Sequence, residues 1–154
     1  MGVGATVGFL SGNWQLVREI SDHRTGQDGV FRGVASFVPA DRGQILDYAE
    51  QGELRFGGHC GPAGRVLRYH GRPDESVDVQ FADGREFYRL DLRTGSCRAV
   101  HWCRADRYSV TVTRLTGDSF TEVWQVAGPD KDYELRTTYQ RSAMDSTGSA
   151  GSPA

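Results

Sequence analysis

From Gly12 onward the chain alternates. Trp14, Leu16, Arg18 and Ile20 fall on one side of an extended backbone, and Gln15, Val17 and Glu19 on the other. This is the period-two pattern of a strand with one buried face. Three members of that face are apolar and one is an arginine, which is costly inside a core unless something there answers its charge. The alternation returns along the chain. Phe31, Gly33, Ala35 and Phe37 share a phase in residues 30–38, and Leu46, Tyr48, Glu50, Gly52 and Leu54 share one in residues 45–55. Gly33 and Ala35 leave room between two aromatics, as a wall does beside a cavity or a sharp bend. Residues 57–62 are too glycine-rich to read as regular. A short strand over residues 65–70 has two possible phases, one with Leu67 and Tyr69 on a face and the other with Val66, Arg68 and His70.

The second half of the chain is easier to divide. Val77, Val79 and Phe81 lead to Asp83-Gly84, a tight hairpin turn, and Tyr88, Leu90 and Leu92 return from it. Thr94-Gly95, Gly117-Asp118 and Gly128-Pro129-Asp130 punctuate the rest. Between them run Ala99, His101 and Cys103; Tyr108, Val110 and Val112; Phe120, Glu122, Trp124 and Val126; and finally Tyr133, Leu135, Thr137, Tyr139 and Arg141. About ten strands, spaced roughly every 10–15 residues and joined by short turns, predict an all-β fold, an antiparallel up-and-down barrel or a sandwich. Residues 2–11, small and apolar, predict a short helical turn plugging one end. Residues 1–141 read as one domain, and residues 142–154, dominated by Ser, Gly, Ala and Pro, as a disordered tail.

Composition narrows the partners. The formal net charge is −2 with no basic stripe, which argues against nucleic acid. No apolar run reaches the roughly 20 residues of a membrane-spanning helix, and no signal peptide opens the chain, so the expected location is the cytoplasm and no membrane partner is expected. Cys60, Cys97 and Cys103 are odd in number and lack close CxxC spacing, which speaks against a disulfide framework.

Gly12-x-Trp14 near the start and Arg141 closing the final strand resemble the calycin superfamily of lipocalins, fatty-acid-binding proteins and nitrobindin-like barrels. That resemblance implies a lipocalin-like barrel in which Trp14 plugs one end and Arg141 packs across its indole. A longer series is similar to a bacterial family of unknown function, number 6314. It comprises Leu10-x-Gly12-x-Trp14-x-Leu16-x-Arg18, Tyr48-x-Glu50-x-Gly52, Asp83-Gly84-Arg85, His101-x-Cys103, Asp106-x-Tyr108 and Gly128-Pro129 with Lys131-Asp132-Tyr133. The family usually carries histidine where this chain has Tyr88. It implies the barrel fold and no established activity.

Inside such a barrel the in-phase residues would wall a cavity of mixed character. The candidate ligand-binding residues are Arg18, Tyr48, Glu50, Tyr69, Tyr88, His101, Cys103, Tyr108, Trp124, Tyr133 and Tyr139, with Trp14 and Arg141 as a structural pair at the barrel end. An apolar hollow with a few converging polar groups is what a ligand site looks like. Arg18 either pairs internally with Glu50 or clamps an acidic ligand. The expected function is therefore the binding of a small organic molecule, an acid where Arg18 acts as the clamp. The alternative is an enzyme of decarboxylase, isomerase or cyclase type, in which burial raises the Glu50 pKa for general acid–base work. Haem held through His101 or His70, as in nitrobindin-like barrels, is a further alternative. His101-x-Cys103 places two soft ligands on one strand face, but no zinc spacing supports a metal site, and a core histidine beside a buried thiol is the favoured reading.

Overall fold

Ten antiparallel strands follow one another in a computed structural model that describes residues 4–143. They are β1 (Gly12–Asp22), β2 (Gln27–Ala40), β3 (Ile45–Phe56), β4 (His59–Gly71), β5 (Val77–Phe81), β6 (Glu86–Leu90), β7 (Ser96–Cys103), β8 (Asp106–Thr116), β9 (Ser119–Gly128) and β10 (Lys131–Arg141), preceded by the helix α1 (Ala5–Leu10). Their order in the sheet is β6-β5-β4-β3-β2-β1-β10-β9-β8-β7. First and last strands thus lie side by side, with Trp14 opposite Arg141 and Arg18 opposite Thr137. The sheet curls until β6 and β7 approach each other without forming a ladder. At that seam the Cys97 thiol stands in for a rung: it accepts from the Asp91 amide at 3.4 Å and donates to the Arg89 carbonyl at 3.6 Å. The result is a nearly closed up-and-down barrel with one short N-terminal helix, the fold class that the alternation predicts.

One end is shut by α1. Thr6, Val7, Phe9 and Leu10 of the helix are buried. The Trp14 indole donates to the Leu10 carbonyl at 2.8 Å, and Phe9 meets the rings of Trp14 and Phe120 edge-on at 5.6 and 5.8 Å. The last carbonyls of a helix lack partners within it, and Arg141 supplies them. Its Nη2 donates to Phe9 O at 2.8 Å and its Nη1 to Ser11 O at 3.0 Å. The same guanidinium stands 4.3 Å from the Trp14 ring centroid, a cation–π contact.

The opposite end is less complete, because β5 is short. β3 pairs with β4 from His59 to His70, but β5 pairs only with Leu67–Gly71. The first half of β4 is therefore an edge among the described ladders. That half contains the residues which the sequence reads as loop. Residues 57 and 58 alone make the turn, Gly57 at φ 58°, and His59, Cys60, Gly61 and Pro62 already belong to β4. A proline is tolerated on an edge strand, where a missing donor costs little. Gly33 and Gly52 face each other across β2 and β3. A Cβ on Gly33 would collide with the Gln51 carbonyl oxygen, and one on Gly52 with that of Arg32. The two strands approach so closely there that neither position has room for a side chain.

Residues 144–154 lie outside the described residues, and with them nearly all of the expected tail. Ser142 still donates its amide to Asn13 O at 2.9 Å. No helix among the described residues is long and apolar enough to cross a membrane.

Candidate ligand site inside the barrel

Alternation turns Arg18 of β1, Tyr48 and Glu50 of β3, Arg65 of β4, Tyr88 of β6, Glu122 of β9 and Thr137 and Tyr139 of β10 inward, where they meet. Arg18 and Glu50 form a two-pronged pair, Nη1 to Oε2 at 2.7 Å and Nη2 to Oε1 at 3.0 Å, while Arg18 Nε donates to Thr137 Oγ1 at 2.8 Å. The Tyr48 hydroxyl donates to Glu50 Oε1 at 2.5 Å and lies 2.9 Å from that of Tyr139. Arg65 Nε reaches Glu50 Oε1 at 3.3 Å, and its Nη2 stands 3.7 Å from Glu122 Oε1. The second distance is an ion-pair separation, too long for a hydrogen bond. Tyr88 donates to Glu122 Oε2 at 3.5 Å. Glu122 Oε1 is buried and has no hydrogen-bond partner. Two arginines and two glutamates share the interior, so the charges balance even though each alone would be costly to bury.

Electrostatics within the cluster follow from these contacts. Burial works to raise the Glu50 pKa, as the enzyme reading expects. The bond from Arg18 and the field of Arg65 outweigh it, and the carboxyl sits at about 2. Glu50 is a fixed anion, not a proton shuttle. Tyr48, Tyr69 and Tyr88 are pushed upward by burial and by neighbouring acids and phenols, and Tyr139 rises to about 12 for the same reasons. Arg65 is held protonated because the fields of Glu122 and Glu50 outweigh its burial.

Above this cluster the barrel opens. A cavity of about 340 Å³ at the end away from α1 is bounded by Ile20, Asp22, Leu54, Phe56, Tyr133 and Leu135. Leu135 pairs with Ile20 and with Trp124, while Thr137, the next inward residue of β10, pairs with Arg18 and with Glu122. The charged row is thus one step beneath the apolar mouth. Arg65 keeps a third of its side chain exposed, whereas those of Arg18 and Glu122 are 10% and 5% exposed. A larger hollow of about 800 Å³ lies outside the wall, against Val34, Ser36, Ala49, Gln51 and Val66. Glu50 and Arg65 border it as wall positions, but their charged groups are engaged inside.

The remaining candidates fall around this centre. Tyr69 packs on Phe37 and Tyr48 with ring centroids at 5.1 and 5.8 Å. Trp124 stacks on Phe87 at 4.8 Å and meets Tyr88 and Tyr108 edge-on. Tyr108 accepts from Lys131 Nζ at 3.0 Å, and Tyr133, raised to about 12 chiefly by burial, stands at the mouth. His101 is half-buried among the edges of Phe81, Phe87 and Tyr108. These are edge-to-face aromatic contacts. His70 falls on the outward phase of β4 at the other end of the barrel, too far along the strand to join it. Cys103 is exposed, not the buried thiol that alternation suggests, because β7 ends there at the rim. Among the described residues no three His, Cys, Asp or Glu side chains gather as a metal site.

Three members of the cluster stand outside the candidate ligand-binding residues, Arg65, Glu122 and Thr137, although Glu122 shares a phase with Trp124 and Thr137 with Tyr139. The signal for Arg65 was the parity of Leu67 and Tyr69, which carries residue 65 inward with them.

Comparison with known proteins matches residues 10–141 to the family of unknown function DUF6314. The chain belongs to that family. No curated protein matches it. Among solved structures it is similar in fold to the S-type phycobiliprotein lyase CPES of Guillardia theta, at TM-score 0.61 and 10% identity, over 89% of this chain and 90% of that one. It is also similar to a protein of unknown function from the DUF3598 family of Nostoc punctiforme, at TM-score 0.60 and 11% identity. There it covers 92% of its own length and 51% of the other chain. A redesigned β-barrel, mFAP1, bound to DFHBI aligns at TM-score 0.46 and 18% identity, over 88% and 97% of the two chains. The likenesses to the lyase and to the Nostoc punctiforme protein are likenesses of fold alone.

Proposed function

We propose that this barrel holds one small organic molecule in its open half, with the apolar body in the mouth and a polar group on Arg65. The observation that carries this reading is the uneven use of the two interior arginines. Arg18 spends its guanidinium on Glu50 and Thr137. Arg65 makes one hydrogen bond, keeps a third of its side chain exposed and stands near a carboxylate it does not reach. A pair designed only for stability would be closed on itself as Arg18–Glu50 is. The ligand-facing role expected of Arg18 therefore passes to Arg65. The mouth residues Ile20, Leu54, Tyr133 and Leu135 supply apolar contact, and pockets of this mixed type are the usual small-molecule sites.

The test uses 1-anilinonaphthalene-8-sulfonate, whose fluorescence rises in apolar surroundings. Wild-type protein is expected to bind it with saturable enhancement, and Arg65→Met to weaken binding at least tenfold while the thermal midpoint stays above the assay temperature. Equal binding by the variant removes Arg65 from the site, and no saturable enhancement in the wild type removes the small-molecule reading.

A further inference from the structure

Glu122 Oε1 is the one buried side-chain polar atom among the described residues that lacks a hydrogen-bond partner. Such an atom forfeits its hydration without compensation, which is rare in native interiors and asks for an explanation. It lies 3.7 Å from Arg65 Nη2 and, in register, one row beneath the mouth. Donor and acceptor thus stand side by side: a guanidinium edge with unspent N–H groups and a carboxylate oxygen with nothing to accept.

From this juxtaposition we infer that the ligand carries a hydrogen-bond acceptor and an N–H or O–H donor side by side on one edge, as a primary amide, a lactam or a hydroxy ketone does, with an apolar body behind it. The inference rests on the small-molecule reading above and sharpens its chemistry. A plain carboxylate satisfies Arg65 but sets its second oxygen against Glu122, like charge against like. A plain ammonium satisfies Glu122 and is repelled by Arg65. A tertiary amide leaves Glu122 as it is now. Only the neutral edge with both functions completes both residues, and a site whose buried polar group is left unpaired by the wrong ligand discriminates strongly against it. Tyr88, already on Glu122 Oε2, holds the carboxylate so that Oε1 keeps its direction.

The experiment compares a matched series on wild-type protein by isothermal titration: 1-naphthamide, N-methyl-1-naphthamide, N,N-dimethyl-1-naphthamide, 1-naphthoate and 1-naphthylmethylammonium. 1-Naphthamide is expected to bind at least tenfold more tightly than the other four, the N-methyl amide included because its trans N–H points away from its carbonyl. In Glu122→Met the advantage of 1-naphthamide over N,N-dimethyl-1-naphthamide should vanish, with residual affinity from Arg65 and the mouth retained. Since the wild-type series decides by itself, a variant that fails to fold does not spoil the test. Equal binding of 1-naphthamide and its N,N-dimethyl derivative overturns the inference but leaves the barrel a binder, as does preference for the carboxylate. Failure of every member to bind overturns both.

Discussion

The Arg18 guanidinium and the Glu50 carboxylate meet through two hydrogen bonds, 2.7 and 3.0 Å long, across the barrel interior between strands separated by one other. Breaking one side of such a pair strands the other charge. Arg18→Met is expected to destabilise the fold by about 3–5 kcal/mol. The double variant Arg18→Met with Glu50→Leu should recover a large part of that, because both charges then leave together. Urea denaturation of the two variants checks this, and equal losses would mean the pair is not the unit it looks to be.

Acid should weaken the protein in a defined window. The folded Glu50 carboxyl sits at about 2 against an ordinary 4.5, a depressed value whose stabilisation is complete above pH 4.5 and lost as pH falls toward 2. The contribution at neutral pH is roughly 3 kcal/mol. The unfolding midpoint of wild-type protein should fall steeply between pH 4.5 and 2, and Glu50→Gln should flatten that portion of the curve.

At the alkaline end the tyrosines set the limit. Tyr139 rises to about 12, and Tyr48, Tyr69 and Tyr88 are also pushed upward by burial. Their stabilisation is full below pH 10 and lost as pH climbs past it, since the unfolded chain ionises first. Absorbance at 295 nm should show these phenols titrating late and together with loss of the fold, rather than one by one near pH 10.

Arg141 offers a test of the closed end. Its guanidinium binds two carbonyls from the end of α1 while covering Trp14. Arg141→Lys keeps the charge but loses the planar fork, and a loss of about 1–2 kcal/mol is expected from the missing bonds. Near-ultraviolet circular dichroism should report a looser Trp14. An unchanged spectrum and stability would show that α1 docks without it.

Much of this arrangement was legible in the chain. Trp14, Leu16, Arg18 and Ile20 reported their own face, and Glu50 sat in phase with Tyr48, so both halves of the central pair were readable from parity alone. Arg65 was not, because the strand read over residues 65–70 was too short to fix its phase; it begins at His59, and its first half is written in glycine and proline. Those residues mark a loop by local propensity, and pairing with β3 overrides it. Which arginine would be spent and which left open depends on side-chain reach across the barrel, and spacing along a strand does not encode that. Cys103 fails for the opposite reason: alternation continues to the rim, where there is no longer an interior to face.

Because β1 and β10 are neighbours in mid-sheet, the start of β1 and the end of β10 sit beside each other, while the seam between β6 and β7 is bridged by covalent continuity through residues 91–95, by the Cys97 thiol and by the contact of Phe87 with His101. A circular permutant opened at Thr94-Gly95, with the old ends joined near Ser142 and α1, would place its new termini where the wall already lacks a ladder. Such a rearranged chain should still assemble the barrel, since no strand pairing is cut by the new ends.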